Sequence, residues 1–309
     1  MCNDIMNKDM KEITLEELYD GDFYHVCTEG LETEVIMRDD EDFIVARNYL
    51  ALSAWKTKVF IVAFCLMSNH LHVLVGAKNR KDVLDFIRHF KQIYSTCLRN
   101  KYGLGHALKG HPECIVAISD IKYLRNCIAY ILRNAVSAKI CRKIEEYPWS
   151  SYNVYFTTDS KAAKLPITSL KGRLRKKLLR TRMDIADCPY RIDEDGNISI
   201  SSFVRSDLVH LAFKNSGKQF LYYLGSCNDA QMEYEFASRP LVLSSDQDLL
   251  SSAEKVVAQR FKGKTISTLT TMEKCSMLKH LFFNYKTTLP QLSRIMGLPR
   301  ELVRKVLST

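Results

Sequence analysis

Long apolar runs and a signal sequence are both missing from this chain. Its longest apolar run is far shorter than the ~20 residues that a membrane-spanning helix needs. The N-terminus (MCNDIMNKDMKEITLEE) is polar and acidic, which is unlike a signal peptide, and residues 1–20 are interpreted as an N-terminal leader segment. We therefore expect a protein that has no membrane partner.

Cysteine pairs with metal-site or redox spacing are also missing. The chain has ten cysteines, but no two of them form a C-x-x-C pair. His106, His111 and Cys114 lie near each other in the sequence, yet they lack a fourth ligand with finger-like spacing, so no zinc site is predicted there. Several cysteines lie inside apolar stretches, which is typical of reduced core thiols in a cytoplasmic protein.

Acidic residues are absent from residues 161–182, which hold nine lysines or arginines. This segment is either a flexible basic linker or an arm that follows phosphates, and Arg173 and Lys176 are candidate DNA contacts. The whole chain has 309 residues, enough for two domains, and a formal charge of +10. This charge favours a polyanionic partner, most simply nucleic acid.

The first half of the chain alternates between strand and helix patterns. The predicted elements are a strand at 23–28, a helix over 40–56, a hairpin over 58–77, a helix over 81–101, a strand at 114–118 and a helix over 121–140 that starts after Asp120. Strand, helix, hairpin, helix and strand is the βαββαβ order of a ferredoxin-like α+β domain, here with one added helix.

Two histidines stand in the apolar stretch FCLMSNHLHVLVGA, on either side of a leucine. Ser68 and Asn69 predict a tight turn between two strands. In a strand, residues two apart point to the same face, so His70 and His72 should project side by side. Two neutral imidazoles can share one divalent cation, although a pair of surface histidines is the alternative.

Tyr130 and Asn134 lie four residues apart on the 121–140 helix, about 40° around its axis, and share one face. A tyrosine at such a position is more often a core residue than a catalyst. The amide of Asn134 needs partners at a core edge, and its oxygen can complete a site for a hard metal begun by two imidazoles. Tyr130 would then stand beside a cation that polarises a phosphate, which permits attack by the phenolic oxygen on DNA.

The C-terminal stretch TTLPQLSRIMGLPRELVRKVLS predicts two short helices around Gly297. One apolar stripe contains Leu289, Leu292, Ile295 and Met296, and the other contains Leu302, Val303 and Val306. The pattern is typical of a helix-turn-helix, and a plain helical hairpin is the alternative. The outward residues Arg300, Arg304 and Lys305 suit the phosphates or a groove of duplex DNA.

Four motifs resemble those of the HUH single-tyrosine transposases, and most closely the REP-associated tyrosine transposases. These motifs are CLMSNHLHVLV (65–75), FKQIYSTCLRNKYGLGHALKG (90–110), YLRNCIAYILRNAVSAKI (123–140) and YPWSSY (147–152). Together they cover roughly residues 21–157. Their order and spacing make the resemblance specific, whereas a His-x-His pair alone would be weak.

The resemblance implies a function and roles for particular residues. A His-hydrophobic-His pair binds Mg²⁺ or Mn²⁺ in this family, and a helix tyrosine attacks single-stranded DNA, leaving a 5′-phosphotyrosine and a free 3′-OH. Carried over, His70, His72 and Asn134 hold the metal and Tyr130 is the nucleophile, with Arg133 as a further candidate DNA contact. Family members are often dimeric, so a homodimer is an expectation. This chain has Asn134-Ala135 where the family usually has Asn-Pro.

The chain is accordingly divided into a leader (1–20), an HUH catalytic domain (21–157), a basic linker with a helical extension (158–250) and a helix-turn-helix-like domain (251–309). We expect an enzyme that cleaves and rejoins single-stranded DNA at a hairpin. A non-catalytic DNA-binding regulator is the alternative. An amidohydrolase-type metal hydrolase would need eight strand-helix units, and this chain offers about four strands.

Overall fold

The structure is a computed structural model, and it describes residues 12–28, 35–104, 108, 114–156, 165–227, 232, 246–261, 263–285 and 289–307. Its residues form two compact units, Met1–Asn228 and Asp229–Thr309. His106 and His111 of the rejected zinc group lie outside the described residues.

A four-stranded antiparallel sheet is the centre of the first unit. Its strands are β1 (Asp22–Cys27), β2 (Phe60–Leu66), β3 (Leu71–Ala77) and β4 (Cys114–Ala117), in the spatial order β2-β3-β1-β4. This is the strand order of a ferredoxin-like βαββαβ domain, so the predicted α+β fold is confirmed. β1 and β3 are the two central strands, and all seven residues of β3 are buried.

Helices join and follow these strands. α1 (Leu15–Leu18) precedes the sheet, α2 (Asp40–Lys56) joins β1 to β2, α3 (Arg80–Tyr102) joins β3 to β4, and α4 (Ile121–Ser137) is the added helix. Asp120 is the N-cap of α4, as predicted, because its Oδ1 accepts a hydrogen bond of 2.8 Å from Tyr123 N. Gly103 ends α3 with φ at +73°, a conformation that glycine adopts without strain.

The outer edge of β2 is covered by segments that come much later in the chain. Leu66 N donates to Trp149 O at 2.9 Å, and Ser151 N donates to Phe64 O at 3.0 Å. Val204 forms a further bridge to this strand. The YPWSSY motif therefore satisfies backbone groups that an open sheet edge would expose.

From residue 165 onward the segment predicted as a basic linker and helical extension is folded within the first unit. It contains β5 (Leu165–Pro166), α5 (Gly172–Leu178), β6 (Arg191–Ile192), α6 (Ile200–Phe203), α7 (Ser206–Ala212) and α8 (Gly217–Ser226). Tyr49 Oη donates to Arg180 O at 2.6 Å, and the buried Arg125 of α4 donates through Nε to Ala212 O at 2.5 Å. α4 is buried nearly all round because these later helices cover its outer face.

The second unit is helical, as predicted. It contains α9 (Asp246–Arg260), α10 (Thr271–Tyr285), α11 (Leu289–Met296) and α12 (Arg300–Leu307). Leu292, Met296 and Val303 are buried in its core, and Gly297 turns the chain between α11 and α12 with φ at +61°. The boundary between the two compact units lies between residues 228 and 229. A DNA-binding role for α11 and α12 stays a prediction.

None of the helices in the described part of the chain is both long and apolar enough to cross a membrane. Nine cysteines lie in that part as thiols and not in disulfides, and five are buried: Cys27, Cys65, Cys114, Cys127 and Cys188.

Candidate active site

The candidate site is built on the face of the sheet that carries His72. His72 lies in β3, where it pairs with Cys27 of β1 on one side and with Cys65 of β2 on the other. Because residues paired across a sheet share a face, these three side chains point the same way. The imidazole of His72 is buried at the centre of the sheet.

His70 lies beside His72, as the sequence predicts, but it stands just before β3 and not within it. The hairpin turn between β2 and β3 closes with a hydrogen bond of 2.8 Å from Met67 N to His70 O. The centroids of the His70 and His72 rings are 4.9 Å apart, with the ring planes at 84°. His70 Nδ1 contacts Asn69 Oδ1 at 2.7 Å. Since that oxygen only accepts, Nδ1 of His70 carries the proton and Nε2 has the lone pair in the neutral ring.

α4 brings Tyr130 onto the same face. The Tyr130 ring is nearly perpendicular to that of His72, with 5.4 Å between the ring centroids, and only 6% of the residue is exposed. Asn134, one turn later, donates through Nδ2 to Tyr130 O at 2.9 Å. This bond uses the amide nitrogen, whereas the metal role predicted for Asn134 requires its amide oxygen.

Burial keeps both predicted metal-binding histidines uncharged near neutral pH. It lowers the pKa of His70 to about 4. The pKa of His72 lies well below its usual value, chiefly because the ring is buried and secondarily because His70 and His25 are close to it. Neutral imidazoles are the form that binds metal ions.

The two histidines fit a divalent cation only if ligands other than His, Cys, Asp and Glu side chains complete its coordination. Among the described residues, no three His, Cys, Asp or Glu side chains are grouped closely enough to hold an ion. The lone pair on Nε2 of His70 and one ring nitrogen of His72 would be the imidazole donors. An amide oxygen such as that of Asn134, together with phosphate oxygens of a substrate, would complete the coordination of Mg²⁺ or Mn²⁺.

His25, which the sequence patterns do not single out, lies in β1 and is fully buried. Its Nε2 lies 3.1 Å from Nδ1 of His72, and the two rings are nearly parallel, with 6° between their planes. Its ring centroid is also 6.1 Å from that of Tyr130. The only sequence signal was a polar residue in the middle of an apolar strand, FYHVC.

The residues predicted to contact DNA are spread over several elements. Arg133 on α4 donates through Nη1 to Leu224 O of α8 at 2.8 Å, so part of its guanidinium is used within the chain. Arg173 and Lys176 lie on α5 and are exposed. Lys305 on α12 is exposed, whereas the side chains of Arg300 and Arg304 lie outside the described residues. The DNA-binding roles of all these residues stay predictions.

Trp149 of the YPWSSY motif packs within the first unit, where its ring stacks on Phe43 of α2. The two rings are 4.8 Å apart between centroids and 14° apart in plane.

The first unit is thus an α+β domain in which two histidines and a helix tyrosine share one face of the sheet. Residues 23–111 match the family described as "Transposase IS200 like". This segment is therefore similar to IS200-like transposases, which supports the resemblance to tyrosine transposases. The match includes His25, His70 and His72, and it ends before Tyr130 and Asn134.

One solved structure is similar, described as a REP-associated tyrosine transposase bound to a REP hairpin. It is 14% identical, and the alignment covers 43% of this chain and 78% of that chain, with a TM-score of 0.34. Because the TM-score is low, the fold rests on the strand order and not on this likeness. A comparison with characterised protein sequences found no match.

Proposed function

We propose that this protein cleaves and rejoins single-stranded DNA at a hairpin, with Tyr130 as the nucleophile. The observation that carries the proposal is the cluster of the His70, His72 and Tyr130 rings on one face of the sheet. The choice of a hairpin follows from the four sequence motifs that resemble REP-associated tyrosine transposases.

His70, His72 and Asn134 would hold the metal ion, Mg²⁺ or Mn²⁺. When bound, the ion supplies positive charge that polarises the scissile phosphate and orients it. The two imidazoles are suited to this role because both are neutral. In addition, Asn69 accepts the proton on Nδ1 of His70, which leaves the lone pair on Nε2.

Tyr130 would perform the covalent step. Its Oη forms a bond to phosphorus while the bond between phosphorus and the 3′-oxygen breaks. The phenol loses its proton and the departing 3′-oxygen gains one, so the step balances. The product is a 5′-phosphotyrosine and a free 3′-OH, and attack by a 3′-OH on this linkage rejoins DNA without a further energy source.

Basic residues of both units would contact the DNA. Arg173 and Lys176 are exposed on α5, in a segment without acidic residues, and would contact phosphates of the single strand. In the second unit, Arg300, Arg304 and Lys305 lie on α12 and would contact duplex DNA if α11 and α12 act as a helix-turn-helix.

The test is to incubate the protein with a library of single-stranded hairpin oligonucleotides and Mn²⁺, and to isolate covalent protein–DNA adducts under denaturing conditions. We expect adducts whose DNA is attached through its 5′-phosphate to the peptide that contains Tyr130. Hairpin binding with no adduct at any metal concentration would refute the proposal and favour a non-catalytic DNA-binding regulator.

A further inference from the structure

His25 is the polar group closest to the metal-binding candidates that the proposed function leaves unused. It lies in β1 opposite Leu74 of β3, two residues from the Cys27–His72 pair. Because residues two apart in a strand share a face, His25 lies diagonally across from His72 on the face covered by Tyr130. Its imidazole is fully buried.

The contact between His25 and His72 has two chemically different forms. Nε2 of His25 and Nδ1 of His72 are 3.1 Å apart, so one of them donates and the other accepts. If His25 donates, neutral His72 carries its own proton on Nε2 and has no lone pair left for a metal ion. If His72 donates from Nδ1, its Nε2 has the lone pair, and the proton of neutral His25 is on Nδ1.

We infer that His25 is a positioning residue that accepts the Nδ1 proton of His72 and so keeps Nε2 of His72 available for the metal ion; this inference rests on the proposed function. A ligating histidine usually donates its other ring N–H to a partner that fixes its tautomer and orientation. Asn69 is this partner for His70, and His25 is the corresponding partner for His72.

The arrangement of the rings supports the same role. The His25 and His72 rings are nearly parallel, with 6° between their planes and 5.2 Å between their centroids, and their facing nitrogens are within hydrogen-bond distance. The His25 ring also meets the Tyr130 ring nearly edge-on, at 89°. A single side chain thus contacts both a metal-ligand candidate and the candidate nucleophile, which a histidine placed only for packing need not do.

The test compares Mn²⁺ binding by His25→Leu and His25→Gln with that of the wild type, measured by calorimetry and by Mn²⁺ electron paramagnetic resonance. Leucine removes the acceptor, and we expect Mn²⁺ binding to weaken about 10- to 100-fold. Glutamine presents an amide oxygen near the position of Nε2, and we expect it to restore most of that loss. His89→Gln is the matched control, because His89 contacts Ser53 in the same unit and should leave Mn²⁺ binding unchanged.

A second readout does not depend on metal binding. Nitrogen-15 NMR of labelled histidine should find the proton of His72 on Nδ1 in the wild type, with thermal unfolding to confirm that each variant is folded. Either of two results would overturn the inference about His25 but not the proposed function. These are a proton on Nε2 of metal-free His72, and equal Mn²⁺ affinities of the leucine variant and the wild type. Absence of Mn²⁺ binding by the wild type would overturn both the inference and the metal site of the proposed function.

Discussion

Tyr130→Phe should abolish covalent attachment to DNA while leaving the protein folded and able to bind hairpins. The substitution removes only the hydroxyl oxygen, and the ring that contacts His72 and His25 remains. The loss in folding free energy should therefore be about that of one hydrogen bond, roughly 1 kcal/mol or less. In a unit of this size, 1 kcal/mol shifts the Tm by roughly 2–4 °C. Tyr130→Ala would be a poor choice, because deleting a buried ring costs about 3–5 kcal/mol.

The assay uses a single-stranded hairpin labelled at its 3′ end, because the fragment downstream of the cut is the one that stays on the protein. Wild-type protein with Mn²⁺ should give a slowly migrating labelled band on a denaturing gel, and Tyr130→Phe should give none. Native gel shifts without metal should give the same hairpin affinity for both proteins.

Tyr123→Phe is the matched control for this experiment. Tyr123 lies seven residues earlier on α4, so it is on nearly the same side of the helix, and it has the same 6% exposure as Tyr130. We expect Tyr123→Phe to form adducts at the wild-type rate. Wild-type adduct formation by Tyr130→Phe would refute the assignment of the nucleophile, and loss of adducts in Tyr123→Phe alone would transfer that role to Tyr123.

Three further predictions concern the metal site and the second unit. His70→Ala and His72→Ala should each lose Mn²⁺-dependent adduct formation, with the larger drop in Tm for the more buried His72; normal activity of either variant would make that histidine a structural residue. Removal of residues 229–309 should preserve cleavage but weaken hairpin binding and reduce its salt dependence, whereas an unchanged affinity and salt slope would exclude a DNA contact there. Contacts with Lys264 and then Thr270 lower the pKa of Glu273 to about 2, so its stabilising effect should be lost as the pH falls from about 4.5 to 2. Thermal unfolding across that range should therefore change less in Glu273→Gln than in the wild type, and identical pH profiles would contradict the predicted contribution.

Local patterns in the sequence were enough to predict the sheet domain and most of its helices. The alternation of strand and helix patterns gave the βαββαβ order, and Asp120 marked the start of α4 because an aspartate before an apolar-periodic run satisfies the first free N–H groups of a helix. His70, His72 and Tyr130 could be proposed because spacing along one strand region and along one helix determines which side chains share a face.

Contacts between distant segments could not be predicted from local patterns and are seen only in the tertiary structure. His25 and His72 are 47 residues apart, and their contact depends on the register of β1 against β3, which no local pattern specifies. The charge of residues 161–182 suggested a linker or a DNA-binding arm, but no local pattern showed that α7 and α8, further along the chain, supply the carbonyl groups that bind Arg125 and Arg133 of α4. The sequence by itself thus determined the helices, the strands and the reactive side chains that lie on them. The tertiary structure decided which buried polar groups meet, because each of them needs a partner that only a long-range contact can bring to it.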